Sequence, residues 1–253
     1  MEELSSSHNH DTSLFLDRIS KTYGEGETRV EAVKNITLEF QRGESILILG
    51  PSGSGKTTLL SMIGGLLKPT SGRIFLHGQE LSSLSEGKLS PYRLKYFGFI
   101  FQEFNLLSTL TAFENIELVI HLAGLKKDLA RQKAKSLLEV AGLSNRAHHY
   151  PSQLSGGEKQ RVAIMRALAN NPPIVLADEP TGNLDTEIGN VITQILSGIA
   201  CRENRTVVMV SHDERIKKVV DRILYVQDGR ITREEKGGHD RESKESHNHF
   251  LTY

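Results

Sequence analysis

Gly50-Pro51-Ser52-Gly53-Ser54-Gly55-Lys56-Thr57 fits the pattern G-x-x-x-x-G-K-[ST] and follows residues 45–49 (SILIL), a short apolar run of the kind that forms a strand buried on both faces. Strand, glycine turn and helix must then follow one another within a few residues, which fixes a parallel α/β arrangement around this point. The glycines let backbone N–H groups turn inward around phosphate oxygens, and a helix expected over residues 56–66 presents its positive end. Lys56 adds a mobile cation for the outer phosphates, and Thr57 has the hydroxyl that a Mg²⁺ site there requires.

Similar apolar runs recur at residues 97–101, 174–177, 207–210 and 223–226, each expected to be a buried strand. Leu14 and Leu16, then Ile36, Leu38 and Phe40, alternate with polar residues, as strands with one wet face do. Ala130, Ala134, Leu137, Leu138 and Ala141 repeat at helical spacing. A helical insert over residues 106–169 thus interrupts the α/β core. Residues 1–12 and 232–253 are read as disordered tails. The second holds four Lys/Arg and five Asp/Glu against three large apolar residues at its end, too little apolar area to offset the entropy of ordering. Five of the ten histidines fall in these tails: His8, His10, His239, His247 and His249.

Two further motifs bear on chemistry. Residues 174–179 (IVLADE) end an apolar strand in two carboxylates, which puts Asp178 at the carboxyl end of the sheet, where it can orient Mg²⁺. Glu179 then stands where a residue orients or deprotonates an attacking water. Residues 154–158 (LSGGE) open a helix, with Ser155 and Glu158 spaced as a capping box. Gly156 and Gly157 leave the helix N–H groups bare, which suits an anion. An ordinary cap explains Ser155 and Glu158 but not two glycines that each weaken a helix by about 1 kcal/mol.

Phosphate loop, LSGGE and an apolar strand ending in Asp-Glu, in that order over residues 14–231, resemble the nucleotide-binding subunit of ATP-binding cassette (ABC) transporters. The resemblance implies an α/β fold, a P-loop NTPase core of ABC type with an antiparallel β subdomain and an inserted α-helical subdomain, spanning residues 13–231. It implies ATP and Mg²⁺ as cofactors. Gly50, Pro51, Ser52, Gly53, Ser54, Gly55, Lys56, Thr57 and Thr58 then surround the phosphates, and Thr57, Gln102 and Asp178 hold Mg²⁺. Glu179 and His212 become the catalytic pair, His212 contacting the γ-phosphate, and Tyr23 stacks on adenine. Ser155, Gly156, Gly157 and Asp185 complete the ATP site of a second subunit, so the partner is a second copy in a head-to-tail homodimer. Glu158 and Thr57 stand where the family more often has glutamine and serine.

Residues 101–107 (FQEFNLL), 110–112, 114–116 and 181–185 (TGNLD) are similar to the branch that exports lipoproteins, macrolides or glycolipids. Such subunits drive a separate integral membrane permease from the cytoplasmic face. A related ATPase that signals through a membrane partner in cell division has a similar cassette and stays open as an alternative. A nucleotide kinase sharing only the phosphate loop leaves LSGGE and Asp178-Glu179 unexplained.

Composition limits other functions. Lys plus Arg and Asp plus Glu both number 31, so no net positive charge draws nucleic acid, and none is expected as a partner. The single cysteine, Cys201, excludes an intramolecular disulfide and any CxxC site and suits a reducing compartment. No run reaches the roughly 18 apolar residues of a membrane span.

Overall fold

The computed structural model describes residues 12–239. Two sheets share the molecule. The larger holds six strands in the order β10-β9-β3-β8-β7-β6, namely β10 (Arg230–Lys236), β9 (Arg222–Gln227), β3 (Ser45–Leu49), β8 (Thr206–Ser211), β7 (Ile174–Asp178) and β6 (Phe97–Ile100). All neighbours are parallel except β10, which pairs antiparallel with β9 at one edge. The continuous apolar runs follow from this position. In β3 every residue is buried, with Leu47 and Leu49 on one face and Ile46 and Ile48 on the other. Each face therefore needs its own cover.

On the first face, Leu47, Leu49, Val175, Ala177, Val207 and Met209 pack under α5 (Gly156–Leu168) and α6 (Thr186–Glu203). Within the sequence interval read as an insert lie α3 (Ala112–Leu122), α4 (Lys127–Val140) and α5; Ile116, Ala130, Ala134 and Leu138 join the same core. On the second face, Ile46, Ile48, Leu176 and Val210 meet α1 (Lys56–Ile63) and the antiparallel sheet. That sheet runs β2-β1-β4-β5, from β2 (Val30–Gln41), β1 (Thr12–Tyr23), β4 (Ser71–Leu76) and β5 (Gln79–Glu80). Leu14, Leu16, Ile36, Leu38 and Phe40 are its buried positions, as their alternation predicts.

Three expectations need correction, and one helix is added. The C-terminal tail does not begin at residue 232: β10 continues to Lys236, and Gly237, Gly238 and His239 bond back to Asp221, Lys217 and Val220. Charged cross-strand contacts hold it where apolar area is scarce, Arg222 to Glu234 at 2.7 Å and the Tyr225 hydroxyl donating to Glu235 at 2.7 Å. His239, counted with the tail, faces Asp221 at 3.2 Å. Likewise β1 begins at Thr12, inside the interval read as an N-terminal tail; residues 1–11 and 240–253, with His8, His10, His247 and His249, lie outside the described residues. The helix after the phosphate loop ends at Ile63 rather than near residue 66, closed at Gly64 and Gly65. Finally α2 (Glu86–Tyr96) was not anticipated, because it buries only Leu89 and contains Pro91.

Candidate functional site

The phosphate loop joins β3 to α1 at the carboxyl end of the parallel sheet. Gly55 caps α1 in a left-handed conformation, φ 99°, with the Ala32 carbonyl pressed against the place a Cβ would occupy. Any side chain there would meet both strain and collision. The loop closes round Ser54, whose hydroxyl is buried without a hydrogen-bond partner. Lys56 is 7% exposed and folds back to donate to the carbonyls of Gly50 at 2.8 Å and Pro51 at 2.9 Å.

A cavity of about 660 Å³ opens beside this loop, lined by Ser52, Gly53, Ser54, Gly55, Lys56, Thr57, Thr58, Gln102, Glu179 and His212. Ala32 of β2 also lines it, a contribution with no signal in the local sequence. Thr57 donates through its hydroxyl to Asp178 Oδ1 at 3.1 Å, linking the loop to the end of β7. Burial pushes the Asp178 carboxyl above its ordinary value, against the Thr57 hydrogen bond, with Glu179 adding to the rise. Hydroxyl and carboxylate are hard oxygen donors of the kind Mg²⁺ takes together with substrate phosphates. Among the described residues no cluster of three or more His, Cys, Asp or Glu could hold a metal alone.

Glu179 follows β7 in the left-handed region, φ 45°, where a non-glycine residue is strained. Its amide donates to the Val210 carbonyl at 2.9 Å, and Ser211 donates through its hydroxyl to Oε2 at 3.1 Å. His212 Nδ1 lies 3.0 Å from Oε1. The carboxylate is 14% exposed and the imidazole 72%, so one is fixed and the other reaches into the opening. Ser211 was missed as a site residue, since only the parallel β7–β8 pairing brings it to Glu179.

The remaining expected site residues are elsewhere. Tyr23 ends β1, 44% exposed, with Lys21 over its ring at 5.4 Å, and does not line the cavity. Ser155 caps α5 and Glu158 caps back, donating amide to Ser155 Oγ at 3.3 Å and accepting from the Ser155 amide at 2.7 Å; Arg146 holds the other carboxylate oxygen at 2.9 Å. Asp185 caps α6, accepting from the Ile188 amide at 2.9 Å. Gly157 has a packing reason, for a Cβ there would stand 3.0 Å from Ile188. Gly156 has none, with 3.6 Å to its nearest neighbour, the Asn183 carbonyl. Neither glycine, nor Ser155 or Asp185, lines the cavity of its own chain.

A glycine-rich turn at the carboxyl end of a parallel sheet, facing paired carboxylates, defines a phosphate-loop nucleotide hydrolase. The chain belongs to the ABC transporter family, whose model matches residues 33–182. An uncharacterized ABC transporter ATP-binding protein of Methanocaldococcus jannaschii is 48% identical over 211 residues, 83% of this chain and 94% of that protein. The macrolide export ATP-binding/permease protein MacB of Bartonella henselae is 45% identical over 221 residues, 87% of this chain but 33% of MacB. The dimeric post-hydrolysis structure of the ATP-binding cassette MJ0796 with ADP and Pi matches with a TM-score of 0.83 at 44% identity, over 88% of this chain and 98% of that one. The chain is thus an ATP-binding and ATP-hydrolysing cassette, with the fold its sequence predicts.

Proposed function

We propose that two copies of this chain close head to tail on two MgATP and thereby power a separate integral membrane permease that exports its cargo. One observation carries the dimer: the cavity takes its lining from Ser52–Thr58, Gln102, Glu179 and His212, while Ser155, Gly156, Gly157 and Asp185 stand away from it. A chain that has both halves of an anion site, but apart, meets its second half in another copy. The N-terminus of α5, where a capping box engages Ser155 and Glu158, offers the opposing dipole and the amides of Gly156 and Gly157.

In this reading Lys56 leaves the Gly50 and Pro51 carbonyls for the outer phosphates, an exchange of neutral acceptors for charged ones. Thr57, Gln102 and Asp178 hold Mg²⁺, which supplies charge neutralisation at the phosphates. Glu179, aimed by Ser211 and His212, orients or deprotonates the attacking water, and His212 contacts the γ-phosphate. Tyr23, exposed at the end of β1, stacks on adenine.

The permease has a candidate seat in a groove of about 450 Å³, lined by Leu66, Phe99, Phe101, Leu107 and Leu118 among others. Leu66 and Leu107 are each 47% exposed there, apolar area that suits a partner. No helix among the described residues is long and apolar enough to cross a membrane. In this reading the permease holds the chain at the cytoplasmic face. The MacB resemblance supports export, with cargo chosen by the permease. The test is to purify Glu179→Gln with MgATP from solubilised native membranes and identify bound chains by mass spectrometry. A stoichiometric integral membrane protein is expected; its absence would contradict the reading.

A further inference from the structure

Residues 102–111 cross from Gln102 at the cavity to the start of α3, and their backbone carbonyls are held by three side chains, one from the loop after β7, one from α5 and one from α3 itself. Asn183 donates to the Gln102 carbonyl at 2.8 Å. Arg166 donates from one guanidinium nitrogen to Phe104 O at 2.9 Å and from another to Asn105 O at 2.5 Å. Asn115 donates its amide to the carbonyls of Leu107 and Leu110, each at 3.1 Å. The middle contact is the unusual one. Phe104 and Asn105 are both left-handed, φ 63° and 46°, and a phenylalanine has no local reason to be so. Two consecutive strained residues persist only where the surroundings impose them.

Arg166 is half-buried, and burial lowers its pKa with no carboxylate opposing the shift. A desolvated cation satisfied by backbone carbonyls alone is an expensive way to fasten a loop. Its planar fork meets the two carbonyls from two separate nitrogens at a fixed spacing, a geometry that the single nitrogen of an ammonium on a flexible stem does not reproduce. Arg166 also lies in the last turn of α5, whose first turn follows Ser155, so one rigid rod of about 20 Å carries LSGGE at one end and this clamp at the other.

We propose that Arg166 is a positioning residue: by gripping the Phe104 and Asn105 carbonyls it holds Gln102 at the nucleotide cavity and ties that placement to the position of the LSGGE helix. This rests on the reading of Gln102 as a Mg²⁺ ligand, and the test separates the two. Four variants are compared, Arg166→Met, Arg166→Lys, Gln102→Ala and the double variant Arg166→Met/Gln102→Ala. Three quantities are measured: metal-free ATP affinity, the Mg²⁺ concentration for half-maximal turnover, and amide hydrogen exchange over residues 104–107 without nucleotide.

Arg166→Met should leave metal-free affinity unchanged, speed exchange over residues 104–107, and raise the Mg²⁺ requirement by about 10-fold, the scale found when support of a metal ligand is lost. Arg166→Lys should share the defect, and the double variant should be no worse than Gln102→Ala alone. Should Arg166→Met fail to fold, Arg166→Lys, which keeps the charge and the stem, carries the test. A normal Mg²⁺ requirement in folded Arg166 variants, or effects that add to those of Gln102→Ala, would overturn the clamp while sparing Gln102. An unchanged Mg²⁺ requirement in Gln102→Ala would remove the ligand assignment, and the clamp with it.

Discussion

His212 Nδ1 stands 3.0 Å from Glu179 Oε1, across the end of a sheet that separates the two residues by 33 positions in sequence. With Ser211 on the other oxygen, both acceptor atoms of the carboxylate are aimed before any substrate arrives. Such prior placement is what a residue handling an attacking water needs.

Glu179→Gln keeps shape and loses the proton acceptor. Turnover should fall by about 100-fold or more, within the range a positioned base contributes, while ATP binding persists. Phosphate release and calorimetry on the same protein check both halves.

Lys56→Ala removes a cation that is already desolvated and poised on two carbonyls. ATP affinity should weaken by about 10-fold to 100-fold, the scale of one charged hydrogen bond. Unchanged affinity by calorimetry would reject the phosphate role.

Asp178 gives a pH prediction with a definite sign. Its carboxyl is raised above 3.8 in the folded chain, so the native state holds that proton more tightly than the unfolded one. Stability from this group is therefore present at low pH and lost as pH climbs from the ordinary value through the raised one. Asp178→Asn should accordingly melt higher than the parent at neutral pH, lose that advantage near the ordinary aspartate value, and hydrolyse ATP poorly. Melting curves across pH read the first two.

The two LSGGE glycines should separate. Gly157→Ala presses on the Ile188 side chain, which offsets the helix propensity it gains, so it should melt lower than Gly156→Ala, with the difference narrowed by Ile188→Val. Gly156→Ala has room and gains up to about 1 kcal/mol of helix propensity. It should melt no lower, yet lose hydrolysis if a second copy's nucleotide sits against it. Melting temperature against turnover distinguishes the pair.

The parts legible in the sequence are those whose signal is local. β3, β7 and β8 declare themselves because both faces are buried, so no polar residue interrupts them. The loop at Gly50–Thr57 is legible because backbone geometry demands glycine at set positions. β10 was hidden since, beyond Ile231, which packs on the core, Arg230–Lys236 owes its place to Arg222 and Tyr225 rather than to apolar residues of its own. α2 was hidden by Pro91 and a single buried leucine. Ser211 on Glu179 and Arg166 on Phe104 are contacts across 32 and 62 residues, which no periodicity encodes.

The correction at β10 is itself testable. Truncation after Ile231 removes most of an edge strand and its pair to Arg222, and should lower the melting temperature. Truncation after His239 keeps the strand and serves as the comparison.

The most direct test of the central claim is the mass of Glu179→Gln by light scattering with and without MgATP. The account predicts a shift from the 28.2 kDa of one chain to twice that value, with nucleotide retained. A protein saturated with MgATP that stays at 28.2 kDa would contradict it, because the LSGGE helix would then have no phosphate to meet.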